Sequence, residues 1–334
     1  MAIRVLDESA LRIIMVADEN NYLLGTVSDG DIRRALIEHS EMSTQLVNVM
    51  NKFPITIPGG TKREKVLKTM KNKNIHQLPI LDSIGKIIGL ETLQNFLGNN
   101  KRDNLVFVLA GGFGTRLKPL TNTVPKPLLK VGDKPVMGTI IHQFSKKGFH
   151  NFYISAHYKA NMVRKHFGDG SQWDISIKYV NEEQPLGTAG PLSLLPKDIL
   201  DKPVFVINGD LLTNVNFETL LDYHIEQDGI ATMGVRKYEI QVPFGEVRSN
   251  NQKIVSIVEK PTHVFFVNAG IYVLNPSLIK SLDFNKYLNM PQLIEEQIKN
   301  GEEVNMFPVH EYWLDIGQTE DYAKAQIDSV DLFE

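Results

Sequence analysis

The 334-residue chain has no cysteine. That excludes a disulfide framework, a thiolate metal site and a cysteine nucleophile. No apolar stretch approaches the ~20 residues that a membrane-spanning helix needs. The N-terminus also lacks the charged-then-apolar pattern of a secretion signal, so a cytoplasmic setting with no membrane partner is expected. Charge of neither sign is in excess. Lys and Arg number 36, Asp and Glu number 39, and the formal net charge is −3; nothing in that balance calls for nucleic acid or an anionic surface as partner. With 42% hydrophobic and 22% charged residues the composition is that of an ordinary globular protein. The length favours two domains.

What the chain does hold is concentrated between residues 105 and 132. An apolar run short enough for a buried strand, 105–109, stops at paired glycines. Gly111, Gly112 and Gly114 are expected to turn the backbone with positive φ and to bring N–H groups to an anion with no Cβ in the way. Arg116 follows at once, and Lys126 lies further on between Pro125 and Pro127. A glycine loop after a strand, with two cations on a stiffened arm, suits a polyphosphate. It is not a P-loop, because no Gly-Lys-Ser/Thr follows at the required spacing. Nor is it a dinucleotide fingerprint, because Leu117 stands where the third glycine is needed.

The whole string G-G-x-G-T-R-L-x-P-L-T-x-x-x-P-K-P-L-L resembles the signature of the sugar-1-phosphate nucleotidyltransferases. The resemblance spans 105–334 with the family's motifs in order. It implies that Leu109, Ala110, Gly111, Gly112, Gly114 and Thr115 bind an NTP and that Arg116 and Lys126 are the catalytic cations. Phe205-Val-Ile-Asn208-Gly-Asp210 reads as a buried strand ending in an exposed carboxylate, and Tyr312-Trp-Leu-Asp315-Ile-Gly317 carries a second acid. Asp210 and Asp315 match the family's Mg²⁺ positions; that ion takes few carboxylates plus waters and phosphate oxygens.

Glu182-Glu183-Gln184-Pro-Leu-Gly187-Thr-Ala-Gly190 resembles the family's base-reading segment, with Gly187 expected to let a flat base lie on the backbone. A carboxylate only accepts hydrogen bonds, so Glu182 and Glu183 suit the N1–H and N2–H₂ edge of guanine and favour GTP. Gln184 keeps a uridylyl- or thymidylyltransferase reading open. The sugar 1-phosphate is read from Gly245 in Phe244-Gly-Glu-Val, from Glu259 and Lys260 in Glu-Lys-Pro, and from Asn268 in Asn-Ala-Gly; His157-Tyr158 is a further candidate for the sugar. Two readings from other classes compete. A Mg²⁺-dependent glycosyltransferase usually needs an Asp-x-Asp element, which Asn208-Gly-Asp210 is not. A catalytically silent nucleotide sensor would not need Arg116, Lys126, Asp210 and Lys260 all intact.

The first hundred residues contain a repeat at an offset of 64: Val16-Ala-Asp18-Glu-Asn-Asn-Tyr-Leu-Leu-Gly25 aligns with Ile80-Leu-Asp82-Ser-Ile-Gly-Lys-Ile-Ile-Gly89. Gly25-Thr-Val-Ser28-Asp-Gly-Asp31 follows the first copy. The repeat looks like a pair of CBS domains, in which Ser28 and Asp31 are the possible ligands of an adenine nucleotide's ribose and phosphate. In the second copy, Asn95 replaces the carboxylate, and Ala2 to Leu6 look like the end of a helix whose earlier part is missing. The expected organisation is a CBS pair over 1–98 with a truncated first copy, a polar linker over 99–104 and a nucleotidyltransferase domain over 105–334. That order resembles the glucosamine-1-phosphate guanylyltransferases of legionaminic-acid-type pathways, which serve bacterial surface sugars. The expected fold class is α/β: a mainly parallel, Rossmann-like nucleotidyltransferase sheet with flanking helices, preceded by a small α/β CBS pair. Strands are predicted at 105–109, 151–155, 176–180 and 203–207, and helices near 136–147, 159–167 and 216–227. Ile32, Leu36, Phe96 and Leu97 are expected on exposed helix faces, making the chain a homo-oligomer assembled through residues 1–100.

Overall fold

A computed structural model describes residues 12–38, 43–93 and 101–332, with 3, 5, 6 and 41 in addition. The chain divides into two compact units, Met1–Arg102 and Asp103–Glu334. Among the described residues no helix is long and apolar enough to cross a membrane.

The N-terminal unit carries the repeat in its backbone. Strands β1 (Ile13–Ala17) and β2 (Leu23–Ser28) lead into helix α1 (Asp29–Ile37). Then come β3 (Ile57–Pro58), α2 (Arg63–Lys73), β4 (Gln77–Leu81) and β5 (Ile87–Thr92). The two acidic turns are built alike. Asp18 Oδ1 accepts from the N–H groups of Asn20 (3.0 Å) and Tyr22 (2.8 Å), and Asp82 Oδ1 accepts from those of Ile84 (3.0 Å) and Lys86 (2.8 Å). These are Asx turns, in which the short carboxylate reaches its own backbone two and four residues on. Tyr22 and Lys86 form a bridge between the copies.

Two expectations change here. Ile32 is buried with Leu6 and Val27, and Leu36 packs against that cluster, so neither presents an exposed face: the apolar stripe of α1 faces the core of its own unit. Phe96 and Leu97, the second predicted face, lie outside the described residues, as does Asn95. Ser28 and Asp31 form a capping box at the start of α1. Asp31 Oδ2 accepts from Ser28 N (2.8 Å) and Ser28 Oγ (2.6 Å), while its Oδ1 pairs with Arg34 at 2.6 Å. Both side chains therefore have structural partners.

The second unit is built on a seven-stranded sheet. Its elements are β6 (Arg102–Leu109), α3 (Val136–Lys146), β7 (Phe149–Ala156), α4 (Ala160–Phe167), β8 (Ser176–Asn181) and β9 (Val204–Asn208). They continue as β10 (Leu211–Thr213), α5 (Phe217–Gln227), β11 (Ala231–Gln241), β12 (Glu246–Asn250), β13 (Lys253–Val258) and β14 (Thr262–Leu274). Helix α6 (Met290–Lys299), β15 (Val304–Val309), β16 (Trp313–Asp315) and α7 (Thr319–Leu332) complete it. The sheet order is β8-β7-β6-β9-β14-β11-β15. The pairs β8/β7, β9/β6 and β11/β15 are parallel, and β14 runs antiparallel to both β9 and β11.

Each predicted strand and helix of this unit is present within a few residues of its expected ends. Alternation explains why the strands read as unbroken apolar runs. Val106 and Val108 face one buried cluster, Leu105 and Phe107 the other, and both faces are covered. On the first face Phe144 of α3 stacks on Phe217 of α5, with centroids 3.6 Å apart and planes 8° from parallel. It meets Phe149 and Phe205 edge-on. Asn216 starts α5 by accepting from the N–H groups of Glu218 and Thr219. This packing holds the carboxyl ends of β6, β7 and β9 side by side, where chemistry collects in such sheets.

Candidate active site

The loop after β6 is shaped by contacts within itself. Of its three glycines only Gly114 takes a positive φ, +62°, so the expectation for Gly111 and Gly112 is corrected. A Cβ on Gly114 would lie 2.8 Å from Thr121 Cγ2, and Thr121 Oγ1 donates to Gly114 O at 2.7 Å. A Cβ on Gly112 would meet nothing within 4 Å. That glycine leaves its backbone open on one side, as close approach of an anion requires. Further along, Tyr158 Oη donates to Thr121 O (3.4 Å) and Lys159 Nζ to Asn122 O (2.5 Å), tying the loop to the end of β7. His157 and Tyr158 flank the half-exposed ring of Phe113, at 5.8 and 5.6 Å between centroids.

The acids come from distant segments. Gly209 N donates to Leu109 O at 2.8 Å, which sets Asp210 directly beside the end of β6. Strand β10 pairs antiparallel with β16, Leu211 opposite Asp315, and Ile316 N donates to Asp210 O at 3.1 Å. This register carries Asp315 to Asp210. Lys126 Nζ donates to Asp210 Oδ2 and lies 3.8 Å from Asp315 Oδ1. Arg116 closes the group: a Cβ on Gly317 would lie 3.8 Å from both of its terminal nitrogens. Asp321, which the sequence reading passed over, accepts from Gly317 N (3.1 Å) and Gln318 N (2.8 Å) and orients the turn after Asp315. Its only signal was an acid in the first turn of a helix.

Burial raises the pKa of Asp315, the Asp210 charge raises it further, and Lys126 and Arg116 oppose the shift. Asp210 Oδ1 and Asp315 Oδ1 are both buried without a hydrogen-bond partner. Two close carboxylates with unsatisfied oxygens fit a hard divalent cation, which bonds such oxygens and removes their repulsion. The raised pKa sets a pH dependence. Ionised Asp315 costs stability above its raised pKa, and the cost vanishes below the ordinary carboxylate range. Asp315→Asn, which copies the neutral acid, is expected to raise the unfolding midpoint in metal-free buffer near neutral pH, an advantage that shrinks as pH falls toward ~4. Tryptophan fluorescence is the readout, since Trp173 and Trp313 both lie in this unit; equal midpoints near neutral pH would count against the electrostatic account.

The two glutamates of the base-reading segment separate. Glu182 Oε1 accepts from Ser155 Oγ (2.5 Å) and its Oε2 from Leu186 N (3.0 Å), so its carboxylate holds the loop beneath Gly111. Glu183 is exposed. Gly187 has φ +78°, and its Cβ position is 2.5 Å from Leu288 O, so packing against Leu288 and Asn289 by itself requires glycine here. Ala189 N and Gly190 N both donate to Leu288 O, and the short 3-10 turn Gly190–Leu194 follows.

On the sugar side the β12–β13 register, Glu246 opposite Val258, brings Gly245 to Glu259, whose Oε2 lies 3.0 Å from the glycine's Cβ position. Lys260 follows with φ +46°. Asn268 donates through Nδ2 to Tyr272 Oη (2.5 Å) and accepts Gly270 N (2.9 Å), so its amide shapes the strand.

Comparison with known proteins follows the same division. A family model described as Nucleotidyl transferase matches residues 105–331, and one described as CBS domain matches 46–97. A mannose-1-phosphate guanyltransferase of Debaryomyces hansenii is 33% identical over 232 residues, 66% of this chain and 63% of that protein. The enzyme of that name from Yarrowia lipolytica is 34% identical over 228 residues, 64% and 61% of the two chains. The chain thus spans less than two thirds of the length of these relatives. HddC from Yersinia pseudotuberculosis, solved in complex with GMP-PN, is 25% identical, with a TM-score of 0.53 over 67% of this chain and 99% of that one.

Proposed function

The chain belongs to the nucleotidyl transferase family through residues 105–331, and from that premise we propose that it transfers a nucleotidyl group from an NTP, GTP by preference, to a sugar 1-phosphate. The observation that carries the proposal is the convergence of Lys126, Arg116, Asp210 and Asp315 at the end of the glycine loop. A phosphate oxygen of the sugar 1-phosphate attacks the α-phosphorus in line; the bond from that phosphorus to the bridging oxygen breaks, and pyrophosphate leaves. The nucleophile is already an anion, so the work is positioning and charge neutralisation.

In this reading the loop N–H groups and Arg116 hold the leaving phosphates, and Lys126 turns from Asp210 to the α-phosphate and the incoming phosphate. Glu259 and Lys260 take the sugar hydroxyls and the 1-phosphate. Asp210 and Asp315 would hold a divalent cation, taken to be Mg²⁺, which supplies positive charge to the phosphate oxygens. Glu183, exposed where Glu182 is committed, is the residue we assign to the donor edge of guanine. The guanyltransferase relatives support that choice of base.

Pyrophosphate release measured with GTP, UTP, dTTP and CTP over a panel of sugar 1-phosphates tests the reading. GTP is expected to exceed the others by ~10²-fold or more, because a site built for a donor edge is left unpaired by the wrong base. Equal or better use of UTP or dTTP would move base recognition to Gln184. No release with any pair would return the chain to the class of nucleotide-sensing CBS proteins. An adenine nucleotide at the N-terminal unit would have to draw Asp31 away from Arg34 and Ser28, which calorimetric titration with AMP and ATP measures directly.

A further inference from the structure

The exposed apolar surface of the second unit is concentrated in one place. Ten large hydrophobic side chains stand exposed within residues 238–265, on the outer ends of β11 and β14, on the β12–β13 ribbon and, for Phe244, on the connection between β11 and β12. Strand β13 is the extreme case. All six of its residues are exposed, with Ile254 65%, Val255 68% and Ile257 62% accessible. The ladder with β12 shifts where Arg248 faces Ser256 and Ser249 faces Ile254, which makes Val255 an extra residue, and apolar side chains flank Ser256 on both sides. A strand apolar on both faces is ordinarily buried. Here it belongs to a two-stranded sheet with β12 as its only partner strand among the described elements. Such a ribbon is marginal alone, and a free apolar edge is a template for pairing.

The sequence of that edge says what it pairs with. Lys253-Ile254-Val255-Ser256-Ile257-Val258-Glu259 is complementary to itself when reversed about Ser256. We propose that β13 pairs antiparallel with β13 of a second copy of this chain, about a two-fold axis at Ser256. With the irregularity at Val255 straightened by the new pairing, Lys253 of each copy lies opposite Glu259 of the other, Ile254 opposite Val258, and Val255 opposite Ile257. Opposite charges and β-branched pairs are favourable directly across antiparallel strands. An isologous contact requires that one patch complement itself, and this heptad does. Glu259 has two carboxylate oxygens, so contact with Lys253 of the second copy is compatible with its place beside Gly245. Assembly in this form needs no apolar face on the N-terminal unit, where Ile32 is already buried.

The absence of cysteine supplies the test. Ser256→Cys introduces a lone thiol, and at the axis the two thiols face each other across directly opposed residues, within the Cα separation a disulfide accepts. Mild oxidation of the full-length Ser256→Cys protein is expected to give a covalent dimer, while Ser249→Cys, on the other strand of the ribbon, stays monomeric on a denaturing gel. Light scattering gives the second arm. Ile257→Lys, at an exposed position, and Lys253→Glu are each expected to weaken the dimer at least ~10-fold, and Lys253→Glu combined with Glu259→Lys to restore it. A monomeric wild-type chain, equal cross-linking at 249 and 256, or an undiminished mass in Ile257→Lys with no effect of Lys253→Glu would overturn the proposal.

Discussion

Lys126→Ala is expected to lower turnover by more than ~10²-fold with the fold retained, the cost of removing one preorganised charge from a transition state that gathers negative charge. The position explains the size. Lys126 sits on a 3-10 turn between Pro125 and Pro127, its side chain is 11% exposed, and its ammonium already bonds Asp210 and neighbours Asp315. The turn and the two acids hold that charge at the end of the glycine loop before any substrate arrives. Because the contact grows as the α-phosphorus is attacked, kcat and kcat/KM should fall together while the KM for the nucleotide changes little. The assay is pyrophosphate release beside a circular dichroism spectrum. Turnover within a few-fold of wild type in a folded variant would take Lys126 out of the mechanism.

Asp210→Ala is expected to be as damaging, and for a separable reason. Asp210 and Asp315 each keep a buried oxygen with no hydrogen-bond partner, and removing one of two carboxylates should abolish high-affinity binding of a divalent cation as well as turnover. Mn²⁺ binding to the nucleotide-free chain, followed by electron paramagnetic resonance, reads the first effect without any chemistry. A chain that loses turnover by ~10²-fold or more but binds Mn²⁺ as before would place Asp210 in phosphate positioning instead of metal binding. Loss of Mn²⁺ binding with turnover intact would separate the cation from catalysis altogether.

Much of this molecule follows from local physics. The glycine loop, the apolar runs of β6 and β9 and the Asx turns at Asp18 and Asp82 are set by side chains acting on their own neighbourhoods, over distances that spacing alone can express. Phe205 to Asn208 had to be a buried strand with an acid just beyond it, and Asp210 stands there, though one of its oxygens is buried where an exposed carboxylate is expected. Other features depend on partners far along the chain, which spacing does not reveal. Asp315 reaches Asp210 only because β10 and β16 pair with Leu211 opposite Asp315, a register that depends on the packing of residues a hundred positions apart. Adjacent Glu182 and Glu183 are alike in sequence, yet Ser155 and the N–H of Leu186 claim the first and leave the second exposed. Gly187 is required by the carbonyl of Leu288, a partner a hundred residues on that its own neighbourhood does not announce. Ile32, legible as an apolar stripe, was assigned to the surface because periodicity says that a helix has an apolar face but not what that face meets. Type and order of elements were thus determined by the sequence itself, through backbone preference and alternation. Which polar groups remain free to do chemistry was decided by tertiary packing, because a hydrogen bond taken by a distant partner is invisible until that partner arrives.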